Sequence, residues 1–91
     1  MRTVAITVHG RVQGVGFRYA LREEAQRAGL RGWVRNRRDG TVEALLSGDP
    51  AIVEDVLAWA HHGPPSAAVD RVEVAVSSET APDAFEIRAT V

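Results

Sequence analysis

The chain of 91 residues is long enough for one small domain with a single modest hydrophobic core. It holds no cysteine, which excludes a disulfide framework and a thiolate metal site, and no apolar run approaches membrane-spanning length. The formal net charge is only −1, yet the charges are segregated: residues 1–38 hold nine arginines and two acids, residues 39–91 two arginines and ten acids.

Strand one covers about Thr3–Gly10, with Val4, Ile6 and Val8 on alternate positions. The stretch Gly10-Arg11-Val12-Gln13-Gly14-Val15-Gly16-Phe17-Arg18 leads from it straight into an amphipathic helix, about Phe17–Ala28. Phe17, Ala20, Leu21, Ala25 and Ala28 form the apolar stripe of that helix, and Gly29 ends it. Strand two, about Leu30–Asn36, meets strand three, Thr41–Ser47, across Arg37-Arg38-Asp39-Gly40; an Asp-Gly pair between apolar runs is a strong hairpin signal. Asp49-Pro50 reads as an N-cap with proline at the first helical position. Helix two turns Ile52, Val53, Val56, Leu57 and Ala60 inward and stops at Gly63-Pro64-Pro65. Strand four alternates Val72, Val74 and Val76, and a last strand alternates Phe85, Ile87, Ala89 and Val91.

The order β-α-β-β-α-β plus a short C-terminal strand predicts an α+β, ferredoxin-like split βαβ fold, with residues 1–91 as a single domain. Right-handed crossovers place both helices on one face of an antiparallel-rich sheet, and the even-numbered residues of strand one face them. The fold alone says little about function.

The chemistry concentrates at the strand-to-helix junction. Glycine tolerates positive φ and has no Cβ, so successive backbone N–H groups can turn inward around an anion. The helix that follows adds unpaired N–H groups and the positive end of its dipole. Arg18 adds a forked cationic donor suited to phosphate oxygens. The segment therefore reads as a cradle for one phosphate-sized dianion; the same glycines also suit a plain tight connection. Familiar alternatives fit poorly. A nucleotide P-loop ends in Gly-Lys-Ser/Thr, and this chain has no lysine. A dinucleotide fingerprint requires glycine where Tyr19 stands, and a cysteine phosphatase requires a thiolate.

The arginine-rich first half suggests an anionic partner, unless the two halves interleave in space and neutralise each other. His61 and His62 close helix two, where a cation suits the dipole, and adjacent positions do not make a metal pair. His9 reads as a surface histidine and Trp59 as packing; Gln13 can serve simply to shape the loop, and Glu23-Glu24 to tether nearby arginines.

A second segment, Gly32-Trp33-Val34-Arg35-Asn36 ahead of the hairpin, joins the first in a specific pattern. Together, Gly10–Arg18 and Gly32–Asn36 closely resemble the acylphosphatase family, whose members carry a Gly-x-Val-Gln-Gly-Val-x-Phe-Arg loop and a Gly-Trp-Val-x-Asn segment. Gly63–Ser66 and Val69–Val72 are similar to the family as well, so the resemblance spans nearly the whole chain. It implies hydrolysis of small acyl phosphates to carboxylate and inorganic phosphate. It further implies that the amides of Gln13, Gly14, Val15, Gly16, Phe17 and Arg18, with the Arg18 guanidinium, hold the phosphate while Asn36 orients the attacking water. No metal and no cofactor is expected. Two departures bear on the C-terminal edge: Ala68 stands where many members have a basic residue, and the chain ends Ala89-Thr90-Val91 where an aromatic ending is common.

Two rival readings share the topology. One is a nucleic-acid-binding module, supported by the arginine excess and by Trp33 and Arg35 on one sheet face. Strands one and three, however, offer Thr3, Ala5, Thr7, Thr41, Glu43 and Leu45 where an RNA-recognition sheet carries aromatics. The other is a non-catalytic phosphate-binding domain, or a domain excised from a larger carbamoyl-phosphate-processing protein. The leading expectation is a stand-alone cytoplasmic monomer acting on a small molecule, with neither nucleic acid nor membrane as partner.

Overall fold

A computed structural model describes residues 1–91. In chain order the elements are β1 (Arg2–Arg11), α1 (Phe17–Ala28), β2 (Arg31–Asn36), β3 (Val42–Gly48), α2 (Pro50–Ala60), β4 (Ala68–Val76) and β5 (Phe85–Ile87). The strands form one sheet in the order β4-β1-β3-β2-β5. Every pair is antiparallel except β2 with β5. This is the predicted split βαβ arrangement with one added edge strand.

The parity expected of strand one holds. Val4, Ile6 and Val8 are buried and share a core with Phe17, Leu21 and Ala25 of α1 and Val53, Val56, Leu57 and Ala60 of α2. Alternation with period 2 in β1 and a 3.6-residue stripe on each helix bring these apolar groups together. The caps are as the residues dictate: Gly29 closes α1 with a left-handed conformation, and the Asp49 side chain accepts from the Ala51 N–H ahead of Pro50. Trp59 packs on Phe17 with ring centroids 5.5 Å apart, which fixes the first residue of α1 against α2.

Two patterns in the sequence end differently in the fold. Val72, Val74 and Val76 alternate along β4, yet Val74 is 44% and Val76 91% exposed. They pair with Ile6 and Val4 and so lie on the helix side of the sheet, but α2 packs over β1 and β3 and does not reach the β4 edge. The last strand is also shorter than its alternation suggests. Regular pairing covers Phe85–Ile87 only, and residues 88–91 continue beside β2 through isolated bonds, Arg88 N–H to the Val34 carbonyl and Val91 N–H to the Asn36 carbonyl.

The other face of the sheet is closed locally. Trp33 and Leu45 are directly opposed in the β2–β3 register and both buried. The guanidinium groups of Arg35 and Arg88 lie 4.6 and 5.1 Å from the Trp33 ring centroid, and its indole N–H donates to Glu79.

Candidate active site

The Gly10–Arg18 segment leaves β1 and curls into α1 through Gly14 (φ 73°) and Gly16 (φ 81°), positions that a side chain rarely adopts. A Cβ at either glycine meets no atom within 4 Å, so backbone angle and not crowding demands glycine there. None of the N–H groups from Gln13 to Tyr19 donates to a backbone carbonyl, and Gly16 at the helix N-cap supplies no side-chain acceptor. These donors, with the dipole of α1 behind them, make a turn that can accept an anion.

A cavity of about 220 Å³ opens over this turn, lined by Gly14, Gly16, Phe17, Arg18 and Asn36 together with Val12 and Tyr19. The structure thus brings Arg18 and Asn36, from separate segments, to one concavity with the loop. Gln13 and Val15 take a different position. The Gln13 side chain runs to the hairpin between β2 and β3, and Val15 packs against the core, so only their backbones can serve an anion. No carboxylate, histidine or cysteine lines the cavity, and no cluster of three or more metal-ligating side chains occurs in the chain. A larger groove of about 470 Å³, beside α2, lies elsewhere; the Arg2–Glu54 ion pair borders it, and it lacks the unpaired N–H groups of the loop.

Asn36 ends β2. Its carbonyl accepts from the Val91 N–H (3.1 Å), while the next hairpin residue but one, Arg38, donates its N–H to the Val91 carbonyl (2.8 Å). The departure at Ala89-Thr90-Val91 therefore leaves a backbone brace intact, since main-chain bonds do not depend on an aromatic side chain. Asn36 Oδ1 is buried with no hydrogen-bond partner. A buried acceptor left unpaired costs about 1–3 kcal/mol, so such groups are rare in native structures and call for a physical reason.

The charge segregation resolves into two parts. Much of it is neutralised between the halves of the chain: Arg2 pairs with Glu54, Arg35 and Arg37 with Glu43, and Arg31 with Asp83. Glu23 and Glu24 both hold Arg27, as tethers. Arg11, Arg18, Arg22 and Arg38 make no ion pair. These unpaired cations sit on the loop, the helix it feeds and the hairpin tied to it, so the positive potential left over is concentrated around the cavity.

The hairpin is held by its own turn chemistry. Asp39 accepts from the Thr41 hydroxyl (2.6 Å) and N–H (2.9 Å), which hold its carboxyl below the ordinary value of 3.8; Arg37 and His9 add to the effect. The folded state therefore gains from ionised Asp39 above that value and loses the gain as pH falls through the lower folded value. Acid titration of thermal stability is expected to show this loss in the wild type and not in Asp39→Asn. An unchanged acid limb in Asp39→Asn would show that the carboxylate contributes nothing. His9, by contrast, lies against Glu73 at 2.5 Å as a surface pair.

Sequence reasoning missed three participants. Tyr19 lines the cavity mouth, with Arg18 and Arg22 within 6 Å of its ring. Ser66 donates its hydroxyl to the Val15 carbonyl at 2.8 Å, turning that oxygen outward and bracing the loop from the α2–β4 connection. The Gly63–Ser66 resemblance signalled that segment without giving it a task. The long-range destination of the Gln13 side chain had no sequence signal.

Comparison with known proteins bears on the family and the fold. The acylphosphatase family profile matches residues 4–87. The chain is 52% identical over 86 residues to an acylphosphatase of an Acidovorax species, covering 94% of this chain and 89% of that one. It is 58% identical over 69 residues to an acylphosphatase of Thermococcus kodakarensis, covering 76% of each. The crystal structure of acylphosphatase from Bacillus subtilis superimposes with a TM-score of 0.91 at 38% identity, covering 97% of this chain and 99% of that one. A loop of unpaired amides, one arginine and one asparagine at a shared cavity thus stands within a match of nearly full length, and the chain belongs to the acylphosphatase family.

Proposed function

We propose that the cavity hydrolyses acyl phosphates by direct attack of a water oriented by Asn36 on a phosphate held by Arg18 and the loop amides of Gln13–Arg18. The activity itself follows from the family: the chain is an acylphosphatase, and its substrates are small acyl phosphates cleaved to carboxylate and inorganic phosphate. The residue roles rest on one observation, the convergence of unpaired N–H groups, a guanidinium without an acidic partner and an asparagine whose amide oxygen has no partner at one cavity lined by no carboxylate, histidine or cysteine.

So spare a site suffices for this bond. The leaving group is a carboxylate whose conjugate acid has a pKa of roughly 4, so it departs without protonation. Phosphoryl transfer then needs chiefly positioning and stabilisation of charge on the equatorial oxygens. The loop N–H groups and the Arg18 fork present several donors to those oxygens in fixed positions. An amide is too weak a base to take the proton of the water, but the Asn36 amide can hydrogen-bond to it and fix its line of approach, leaving the phosphate oxygens to receive the proton.

Residues 1–91 are proposed to act as one cytoplasmic domain without metal or cofactor, as a monomer. The β4 edge supports this last point, because Asp70, Arg71 and Glu73 and the irregular pairing at His9/Gly10 discourage edge-to-edge association. No helix is long and apolar enough to cross a membrane. The nucleic-acid reading loses its main support: Trp33 is 4% exposed beneath two guanidinium groups and offers no face on which a base can stack.

The decisive experiment compares phosphate release from acetyl phosphate and from an alkyl phosphate monoester. The acyl phosphate is expected to turn over, and the monoester, whose alkoxide needs protonation, to be slower by roughly 10²-fold or more, the worth of general-acid catalysis. Comparable rates would show a hidden acid or nucleophile, and binding of inorganic phosphate without turnover of either would mean a non-catalytic phosphate-binding domain.

A further inference from the structure

The half-buried Gln13 side chain ties the loop after β1 to the β2–β3 hairpin. Its Nε2 donates to the Arg37 carbonyl at 2.6 Å and to the Thr41 carbonyl at 2.9 Å. Those two oxygens flank the neck of the hairpin turn, where Arg37 N–H also donates to the Thr41 carbonyl and Gly40 N–H to the Arg37 carbonyl. Each carbonyl thus receives two donors, and both hydrogens of the Gln13 amide are used. The orientation of that amide is settled by its surroundings, since its oxygen facing two carbonyls would be repelled. Asn36 is the residue immediately before Arg37, and Gln13 is the residue immediately before Gly14 of the anion-binding turn.

We propose that the Gln13 side chain is a positioning residue that sets the separation between the phosphate cradle and Asn36. This rests on the reading of Arg18 and Asn36 given above and adds a role the loop amides do not have. An in-line attack requires the water and the phosphorus at a fixed distance and angle, and a misplacement of about 1 Å costs roughly 10²-fold. The cradle belongs to the β1–α1 turn and Asn36 to the end of β2, which are separated by β3 in the sheet. A bond from the first directly to the hairpin neck beside the second spans that gap. Glutamine is suited to it because the task needs two donors on one atom at the end of a long side chain: a glutamate offers none when ionised, and a methionine has similar length but no donor.

The test uses Gln13→Met in wild-type and Asn36→Ala backgrounds, with acetyl phosphate as substrate and inorganic phosphate as inhibitor. The expected result is a fall in kcat of roughly 10-fold to 10²-fold, with phosphate inhibition changed less than about 3-fold because the loop amides and Arg18 remain in place. In the Asn36→Ala background the same change is expected to alter kcat by less than about 2-fold, because a residue acting through Asn36 has nothing left to position. Full additivity of the two losses, or a weakening of phosphate inhibition as large as the loss of kcat, overturns the proposal. A folded Gln13→Met protein with wild-type kcat does so as well. If Gln13→Met does not fold, Gln13→Glu provides the second reading. Its activity relative to wild type is expected to rise as pH falls from about 7 to 5, because a protonated carboxyl regains one donor; a flat or falling ratio overturns the assignment. Failure of the broader mechanism is seen separately, as full turnover by Asn36→Ala alone.

Discussion

Arg18→Ala is expected to reduce kcat/KM by roughly 10³-fold or more while leaving the protein folded and no less stable. The catalytic part of this expectation follows from charge. A charged hydrogen-bond donor is worth about 1.5–3 kcal/mol in ordinary settings, and a cationic or oxyanion-hole donor aimed at a phosphoryl group in transit is worth more, about 10²–10⁵ in rate. In the proposed mechanism Arg18 also meets the dianion in the ground state, so inhibition by inorganic phosphate should weaken together with turnover. The stability part follows from what surrounds Arg18 in the free protein. It has no carboxylate partner, lies in the first turn of α1 where the dipole disfavours a cation, and has Arg22 four residues on, with no acid in that turn. Alanine removes both repulsions and is a better helix former. A side chain kept against local electrostatics points to function. A clear fall in melting temperature for Arg18→Ala, measured by circular dichroism, would instead make this arginine part of the scaffold.

The fold was legible because its signals are local. Alternation at Val4, Ile6 and Val8, the stripe from Phe17 to Ala28, Asp39-Gly40 at the hairpin and Asp49-Pro50 at the head of α2 each depend on a few neighbouring residues, and each appears as expected. Failures occur where the outcome depends on distant parts. Alternation tells which face Val74 and Val76 occupy but not how far α2 extends over that face. The pattern Phe85, Ile87, Ala89, Val91 continues beyond the point at which β2 can pair with it regularly. The site shows the same division. The glycine loop and Arg18 are contiguous and were readable as an anion turn, and Asn36 was reached only through the family pattern of a second segment. The support around them is tertiary. Gln13 reaches backbone carbonyls at Arg37 and Thr41, Ser66 reaches the Val15 carbonyl, and Val91 holds both Asn36 and Arg38. A main-chain carbonyl is identical in every residue, so no sequence pattern can announce it as a partner. The charge segregation was legible as a number and misleading as a map, because the ion pairs across the two halves had to be removed before the unpaired arginines stood out.

Asn36→Ala is expected to separate chemistry from binding. The amide lines the cavity at the end of β2, its Oδ1 lacks any partner, and its main chain is fixed by the Val91 bond and by its place opposite Val42. Truncation to alanine removes the amide and leaves those main-chain bonds in place, so the hairpin should keep its entry geometry. The loop N–H groups and Arg18 are untouched, so inhibition by inorganic phosphate should change little. In the proposed mechanism what is lost is the hydrogen bond that aligns the water, and the loss of one positioning group of this kind costs roughly 10²-fold or more in kcat. Substrate affinity and turnover therefore move apart, the signature of an interaction made in the transition state and not in the ground state. Stability should change little, because the main-chain bonds at this position remain. Circular dichroism at the assay temperature establishes that the variant is folded. Full turnover by a folded Asn36→Ala protein would make the asparagine a hairpin residue only, and a parallel loss of phosphate inhibition would move it from the water to the phosphate.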